Sequence, residues 1–134
     1  MITMVGFPDD VREVYMDEGG IFAHAREGQL LIDMTTSSPK LAQELAQLGR
    51  EKDLRVLDAP VTGGDAGARE GTPTILIGGR EEDAKAAWPL FEAMGRHIHH
   101  CGEAGCGQHM KLANQIMIAG ALSGVSEAAA YIQK

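Results

Sequence analysis

Hydrophobic and polar positions alternate along this chain in short blocks. Residues 2–6 (ITMVG) form a brief apolar, β-prone run that predicts a strand. A core strand entered directly after Met1, with no turn or cap before it, is expected to lack residues that would normally precede it. Phe7-Pro8-Asp9-Asp10 then predicts a turn with Pro8 in the first helical position, and Val11, Val14 and Tyr15 mark the apolar side of a helix that Gly19-Gly20 ends. Residues 29–33 (QLLID) predict a second, buried strand, and residues 34–39 its exit loop. Ser38 is suited to cap, and Pro39 to begin, a helix running to about Lys52 with Leu41, Leu45 and Leu48 as its apolar stripe.

The pattern continues with a third strand over residues 54–58, a glycine-rich loop over 59–68 and a fourth strand over 74–78. An amphipathic helix follows over 81–94, in which Pro89 is expected to bend the axis or move the boundary. His97-Ile98-His99 predicts a short fifth strand. Gly102, Gly105 and Gly107 make a flexible loop, after which an Ala/Ile/Leu-rich pattern runs without proline to Tyr131. That last segment is apolar on more than one side, with Leu112, Ile116, Met117, Ile118, Leu122 and Val125, and needs something to pack against.

Strands alternating with helices at this spacing predict parallel βαβ units in an open α/β sheet. Ligands bind such sheets beyond the carboxyl ends of the strands, where Phe7-Pro8, the 34–39 loop, the 59–67 loop and the loop before Lys111 all fall. Composition narrows the picture by exclusion. A chain of 134 residues with net charge -7 and scattered basic residues disfavours nucleic acid as a partner. No uninterrupted apolar run reaches the roughly 18 residues a membrane span needs, and no signal-peptide layout is present, so a cytoplasmic location without membrane contact is expected. Cys101 and Cys106 are expected to be reduced thiols there.

The chemistry concentrates at the start of the last helix. Lys111 lies three and four residues before Asn114 and Gln115, so one ammonium and two amides are expected on a single face. Placed in the first helical turn and in a cleft, Lys111 would lose preference for its charged form, which suits a proton donor and acceptor. Thr62-Gly63-Gly64 offers a hydroxyl and backbone N–H groups that a carboxylate can approach closely, or an ordinary turn. His97, His99, His100, Cys101, Cys106 and His109 crowd together, but no pair has CxxC or HxxxH spacing, so no metal is expected. The dinucleotide fingerprint GxGxxG is absent.

Together these segments resemble the β-hydroxyacid dehydrogenases, the family of 3-hydroxyisobutyrate dehydrogenase and tartronate semialdehyde reductase (2-hydroxy-3-oxopropionate reductase). The matching segments are Asp33-Met-Thr-Thr-Ser-Ser-Pro39, Asp58-Ala-Pro-Val-Thr-Gly-Gly64 through Gly67-Ala68 and Gly71-Thr72, and the glycines 102, 105 and 107 ahead of Lys111 and Asn114. The resemblance implies a NAD- or NADP-dependent oxidoreductase of short β-hydroxyacids with Lys111 as general acid/base. It implies that Thr62, Gly63 and Gly64 hold the substrate carboxylate and that Asn114, with Gln115, orients substrate. Phe7, Pro8, Val11, Thr35 and Thr36 fall where the family lines its cofactor, and the Asn-Gln pair looks more like the tartronate semialdehyde reductase branch.

The resemblance further implies the second half of a Rossmann-like doubly wound sheet over residues 1–104, followed over 105–134 by the start of a long helix that leads to an all-α domain not contained in this chain. The family's opening phosphate-binding half has no counterpart here either, so cofactor binding and turnover by this piece alone are expected to be impaired. Pro73 stands where the family usually has another residue at a strand start, a position that tolerates proline. With an unfinished sheet edge and an uncovered helix, the chain is expected to form homo-oligomers, with exchange of that helix between copies as one route. The rival reading is a non-enzymatic half-domain used for oligomerisation or ligand binding.

Overall fold

The computed structural model describes residues 1–133; Lys134, the last residue of the expected final helix, lies outside the described residues. β1 (Ile2–Thr3), β2 (Leu30–Asp33) and β3 (Arg55–Asp58) run parallel. β3 breaks at Ala59-Pro60 and resumes as β4 (Val61–Thr62). β5 (Thr74–Gly78) then runs antiparallel to both, with Asp58 opposite Gly78 and Val61 opposite Ile75, and β6 (His97–Gly102) lies parallel to β5 along its other edge. The sheet is therefore mixed, which corrects the expectation of parallel units throughout.

The reason for the reversal is local. Between β4 and β5 the chain has only the short helix α4 (Gly64–Glu70) and its flanking turns. A crossover that returns a parallel strand needs a dozen or more residues, so β5 comes straight back beside β4. The helix α5 (Glu81–Met94) is long enough for such a return, and β6 is parallel to β5. Pro89 sits inside α5 without ending it. β6 reaches further than the expected three residues and carries an irregularity in register opposite Ile77 and Gly78.

Despite the reversal, the carboxyl-terminal residues of five strands fall on one line. Thr3 pairs with Asp33, Asp33 with Asp58, Asp58 with Gly78, and Gly78 with Gly102. The loops leaving β1, β2 and β3 thus meet on one side of this line, as a crevice at strand ends requires, whereas β5 and β6 run the other way and their exit turns, at Gly79 and Glu103, lie beside Leu54, Arg55 and Val56 at the start of β3.

Two cores lie on opposite faces, because adjacent strand residues point to opposite sides. Leu31 and Val56 face Val11 and Tyr15 of α1 (Pro8–Met16), Phe22 of α2 (Ile21–His24), and Leu41 and Leu45 of α3 (Pro39–Glu51). Ile32 and Leu57 face the other way, against Ile75, Ile77 and the α5 residues Ala84, Ala87 and Phe91. The Ser38 hydroxyl accepts from the Leu41 N–H at 3.4 Å and Pro39 opens α3, so that helix starts where its cap and proline place it. β1 is shorter and more exposed than a core strand, with Ile2 43% accessible.

The final helix, α6 (Cys106–Ile132), is held at its amino end by one carboxylate. Asp58 accepts from the N–H groups of Gly105 at 2.8 Å and Gln108 at 2.9 Å. These are N–H groups that a helix start leaves without an internal partner, and a negative charge there also meets the positive end of the helix dipole. Glycines allow the approach: a Cβ at Gly107 would collide with the Leu76 carbonyl and lie 2.8 Å from Asp58 Oδ2, and one at Gly78 would collide with the Asp58 carboxylate. Beyond this anchor α6 leaves the body of the protein. Ile116, Met117, Leu122, Val125 and Tyr131 are exposed, in keeping with a helix apolar on several sides. An 18-residue stretch of it reaches a mean hydropathy of 1.2, enough by length and composition to cross a membrane, which corrects the expectation that no apolar run is that long.

Asp58→Asn keeps the volume but turns an amide NH2 toward one of two buried donors, so it is expected to cost about 1–3 kcal/mol. Gly107→Ala is expected to cost a similar amount, about 1–3 kcal/mol, through overpacking against Leu76 and Asp58. Urea denaturation of each variant beside the parent measures both, and an unchanged midpoint in either case contradicts the anchor.

Candidate active site

Lys111, carried on α6, is only 8% exposed. Among the described residues it makes no ion pair and no side-chain hydrogen bond. Burial pushes its amine below the ordinary lysine value. Because α6 begins at Cys106, Lys111 stands in the second turn, beyond the terminal turn expected for it and beyond the strongest reach of the helix-end field. Desolvation alone supplies the shift.

Asn114, one turn further along, donates from Nδ2 to Thr62 Oγ1 at 3.2 Å, tying α6 to the end of β4 across 52 residues. Gly63 and Gly64 follow immediately, exposed, with φ of 135° and 61°. Both lie where a side chain is disfavoured, which explains a glycine pair at this turn. Gly64 opens α4, so its N–H is one that the helix leaves without an internal partner. Lys111, Asn114 and Thr62 are thus brought to one place. Gln115 is not: it lies exposed on the other side of Lys111 from Asn114, so the expected trio of side chains is a pair.

The residues expected to line a cofactor divide in two. Phe7 is 72% exposed, and Pro8 and Thr36 are also exposed, at the turns that follow β1 and β2. Val11 is wholly buried among Tyr15, Leu31 and Leu41, and Thr35 is buried with Oγ1 accepting from the Val5 N–H at 3.0 Å. These two lie beneath the exposed turns, Val11 on the core side of its helix as periodicity predicts.

Three polar residues of the site carried no assigned role in the sequence. Asp58 is the anchor already described. Asp33, its neighbour in register, accepts from the Thr35 N–H at 3.1 Å and the Thr3 hydroxyl at 3.4 Å, and Thr3 is 2.8 Å from the Tyr15 hydroxyl. Burial raises both carboxyls above the usual range, and the hydrogen bonds they accept oppose the rise. Gln108 is completely buried: its Oε1 accepts from the Ser37 N–H at 2.8 Å and its Nε2 donates to the Thr35 carbonyl at 2.7 Å. The available signal was its spacing, three residues before Lys111 and so on the same helical face. Ser37 Oγ is buried with no partner among the described residues.

The ends of β1 and β2 therefore offer exposed turns over an unpartnered buried hydroxyl, a donor set that fits a ribose-bearing ligand. The 134 residues contain no GxGxxG loop for a pyrophosphate. His100 Nε2 lies 2.8 Å from the Gly79 carbonyl, and among the described residues no three His, Cys, Asp or Glu side chains form a metal-binding group.

A buried cation without a partner costs stability. Lys111→Met is expected to stabilise the fold by about 1 kcal/mol at neutral pH. The amine titrates lower in the folded than in the unfolded chain, so between those values the native state binds fewer protons and parental stability rises with pH. The advantage of Lys111→Met should therefore shrink as pH climbs through that window; urea midpoints across the alkaline range check it.

Residues 1–102 match the family described as the NAD binding domain of 6-phosphogluconate dehydrogenase. The uncharacterized oxidoreductase YkwC of Bacillus subtilis (strain 168) is 54% identical over 134 residues, all of this chain and 46% of that protein. The 3-hydroxyisobutyrate dehydrogenase of Pseudomonas aeruginosa is 38% identical over 130 residues, covering 97% of this chain and 44% of that protein. A solved structure of Mycobacterium tuberculosis 3-hydroxyisobutyrate dehydrogenase with L-serine superimposes with a TM-score of 0.88 at 38% identity, over 95% of this chain and 43% of that one. The chain thus spans somewhat under half the length of the curated relatives it matches. Its mixed sheet, helices on both faces and long final helix form a Rossmann-like NAD(P)-binding fold, and the chain belongs to the family of the NAD binding domain of 6-phosphogluconate dehydrogenase, among relatives named 3-hydroxyisobutyrate dehydrogenase.

Proposed function

We propose that this chain carries the cofactor-facing and proton-transferring part of an oxidoreductase that moves a hydride between NAD or NADP and a short β-hydroxyacid, of the 3-hydroxyisobutyrate or tartronate semialdehyde type. The observation that carries the reading is Lys111, buried and without a partner among the described residues, one turn from the Asn114–Thr62 hydrogen bond. Bound nicotinamide supplies the hydride acceptor. In the oxidative direction the neutral Lys111 amine takes the substrate hydroxyl proton while the C–H hydride leaves, giving the carbonyl and a lysine ammonium; in reduction the ammonium returns that proton. An amine whose charged form is disfavoured by burial is the better base for this step.

Thr62, Gly63 and Gly64 hold the substrate carboxylate through a hydroxyl and backbone N–H groups, and Asn114 orients substrate beside Lys111. Gln115, exposed on the other flank of Lys111, is the second amide that orients substrate. Phe7, Pro8 and Thr36 line the cofactor, backed by Val11 and Thr35. Residues 1–104 serve as the carboxyl part of the dinucleotide-binding domain and 105–134 as the helix that leads out of it. Turnover requires the remaining length that the relatives have, so the 134 residues by themselves are expected to show little.

A second reading has its own observation. The exposed Ile116, Met117, Leu122 and Val125 of α6 favour a half-domain that associates with copies of itself. Sedimentation of the 134-residue chain at several concentrations tests this: a monomer throughout excludes it.

Nicotinamide-dependent reduction of tartronate semialdehyde and related 3-oxo acids, run on this chain and on the full-length protein, tests the enzyme reading. Activity is expected in the full-length protein and lost by about a hundredfold to ten-thousandfold in Lys111→Ala, the usual contribution of a general acid/base. Parental turnover in that variant overturns the role of Lys111. In the oxidative direction the rate should rise with pH and level off below the ordinary lysine range, as the Lys111 amine becomes neutral.

A further inference from the structure

We infer that Gln108 is a positioning residue that sets the distance between the loop expected to face the cofactor and the lysine expected to move the proton. The inference rests on the function proposed above for what the two ends do, and on geometry alone for the link. Gln108 is completely buried and spans 71 to 73 residues of sequence with two hydrogen bonds to backbone, one from Ser37 N–H and one to the Thr35 carbonyl. Its own N–H is fixed at the Asp58 carboxylate. The side chain therefore reads the loop after β2 while the backbone is fixed to the end of β3.

Lys111 stands three residues later on the same helix, so the α-helical repeat makes the offset between Gln108 and Lys111 rigid. From its other side the loop is held by Thr35, through Oγ1 to Val5 and N–H to Asp33, and by the Met34 N–H on the Thr3 carbonyl. Without Gln108, the Ser37 N–H and the Thr35 carbonyl lose these partners at the end of the loop that joins α3. Thr36, the exposed residue between them, is then held only through its neighbours in the loop and no longer directly to the helix that carries Lys111. Few side chains can substitute. Asparagine is one methylene shorter and does not span both groups. Glutamate accepts from Ser37 but cannot donate to the Thr35 carbonyl when ionised. Methionine matches the volume and makes neither bond.

The test uses the full-length protein with Gln108→Met, which keeps the core filled, and Gln108→Asn, which keeps the amide. Amide hydrogen exchange at Ser37 and NADH or NADPH affinity by nicotinamide fluorescence are the readouts, at a temperature where both variants are folded by circular dichroism. Exchange at Ser37 is expected to speed up by about tenfold or more, as loss of one buried hydrogen bond implies. Cofactor affinity should weaken by about tenfold in both variants, with kcat falling alongside. A residue that only stabilises the fold would lower the melting temperature and leave affinity and kcat of the folded protein at parental values, and that result overturns the inference. Ser37 exchange at the parental rate overturns it equally. If the parent binds neither nicotinamide cofactor, the proposed function fails, and the exchange rate at Ser37 still decides whether Gln108 holds the loop.

Discussion

The Asp58 carboxylate at the amino end of α6 is the interaction on which the rest of the arrangement depends. It lies on the register line that joins Thr3, Asp33, Gly78 and Gly102, so it belongs at once to the parallel and the reversed parts of the sheet. Its two backbone hydrogen bonds fix where α6 starts and in which rotation. Everything downstream on that helix inherits the setting: Gln108 against the loop after β2, Lys111 buried, Asn114 on Thr62. A carboxylate is expensive to bury, and its pKa is raised accordingly, but oriented N–H groups and a helix terminus offset that cost.

The site places opposite demands on its charges. Asp58 is buried with donors supplied to it, whereas Lys111 is buried with no partner among the described residues. The first arrangement serves the fold. The second works against the fold, and a residue that must pass between charged and neutral forms benefits from that imbalance, since a tight ion pair would hold it charged. The exposed apolar stretch of α6 is a comparable tension: the helix is well anchored at one end and uncovered over the rest of its length.

Much of this was legible in the sequence because it is local. The period-two and period-3.6 patterns located β2, β3, β5, α3 and α5, and Ser38-Pro39 gave the start of α3 through cap chemistry that acts within three residues. The motifs that resemble β-hydroxyacid dehydrogenases pointed to Lys111, Asn114 and Thr62, and the fold unites these three. The same patterns could not show that β5 and β6 turn back, because an apolar strand reads identically in either direction; the short connection through α4 decides it. Nor could they separate Val11 and Thr35 from Phe7, Pro8 and Thr36, since which side of a turn faces solvent depends on what packs behind it.

The sequence by itself determined the elements and the two-sided burial of β2 and β3, because each follows from side-chain type and spacing along one element, and it nominated the candidates proposed for proton transfer and carboxylate binding. Only the tertiary structure decided that Asp58 caps α6, that Gln108 clasps a loop more than seventy residues away, and that Lys111 is desolvated by its surroundings instead of being tuned by a helix end. Those facts depend on distances between groups far apart in the chain, and no local pattern encodes a distance of that kind.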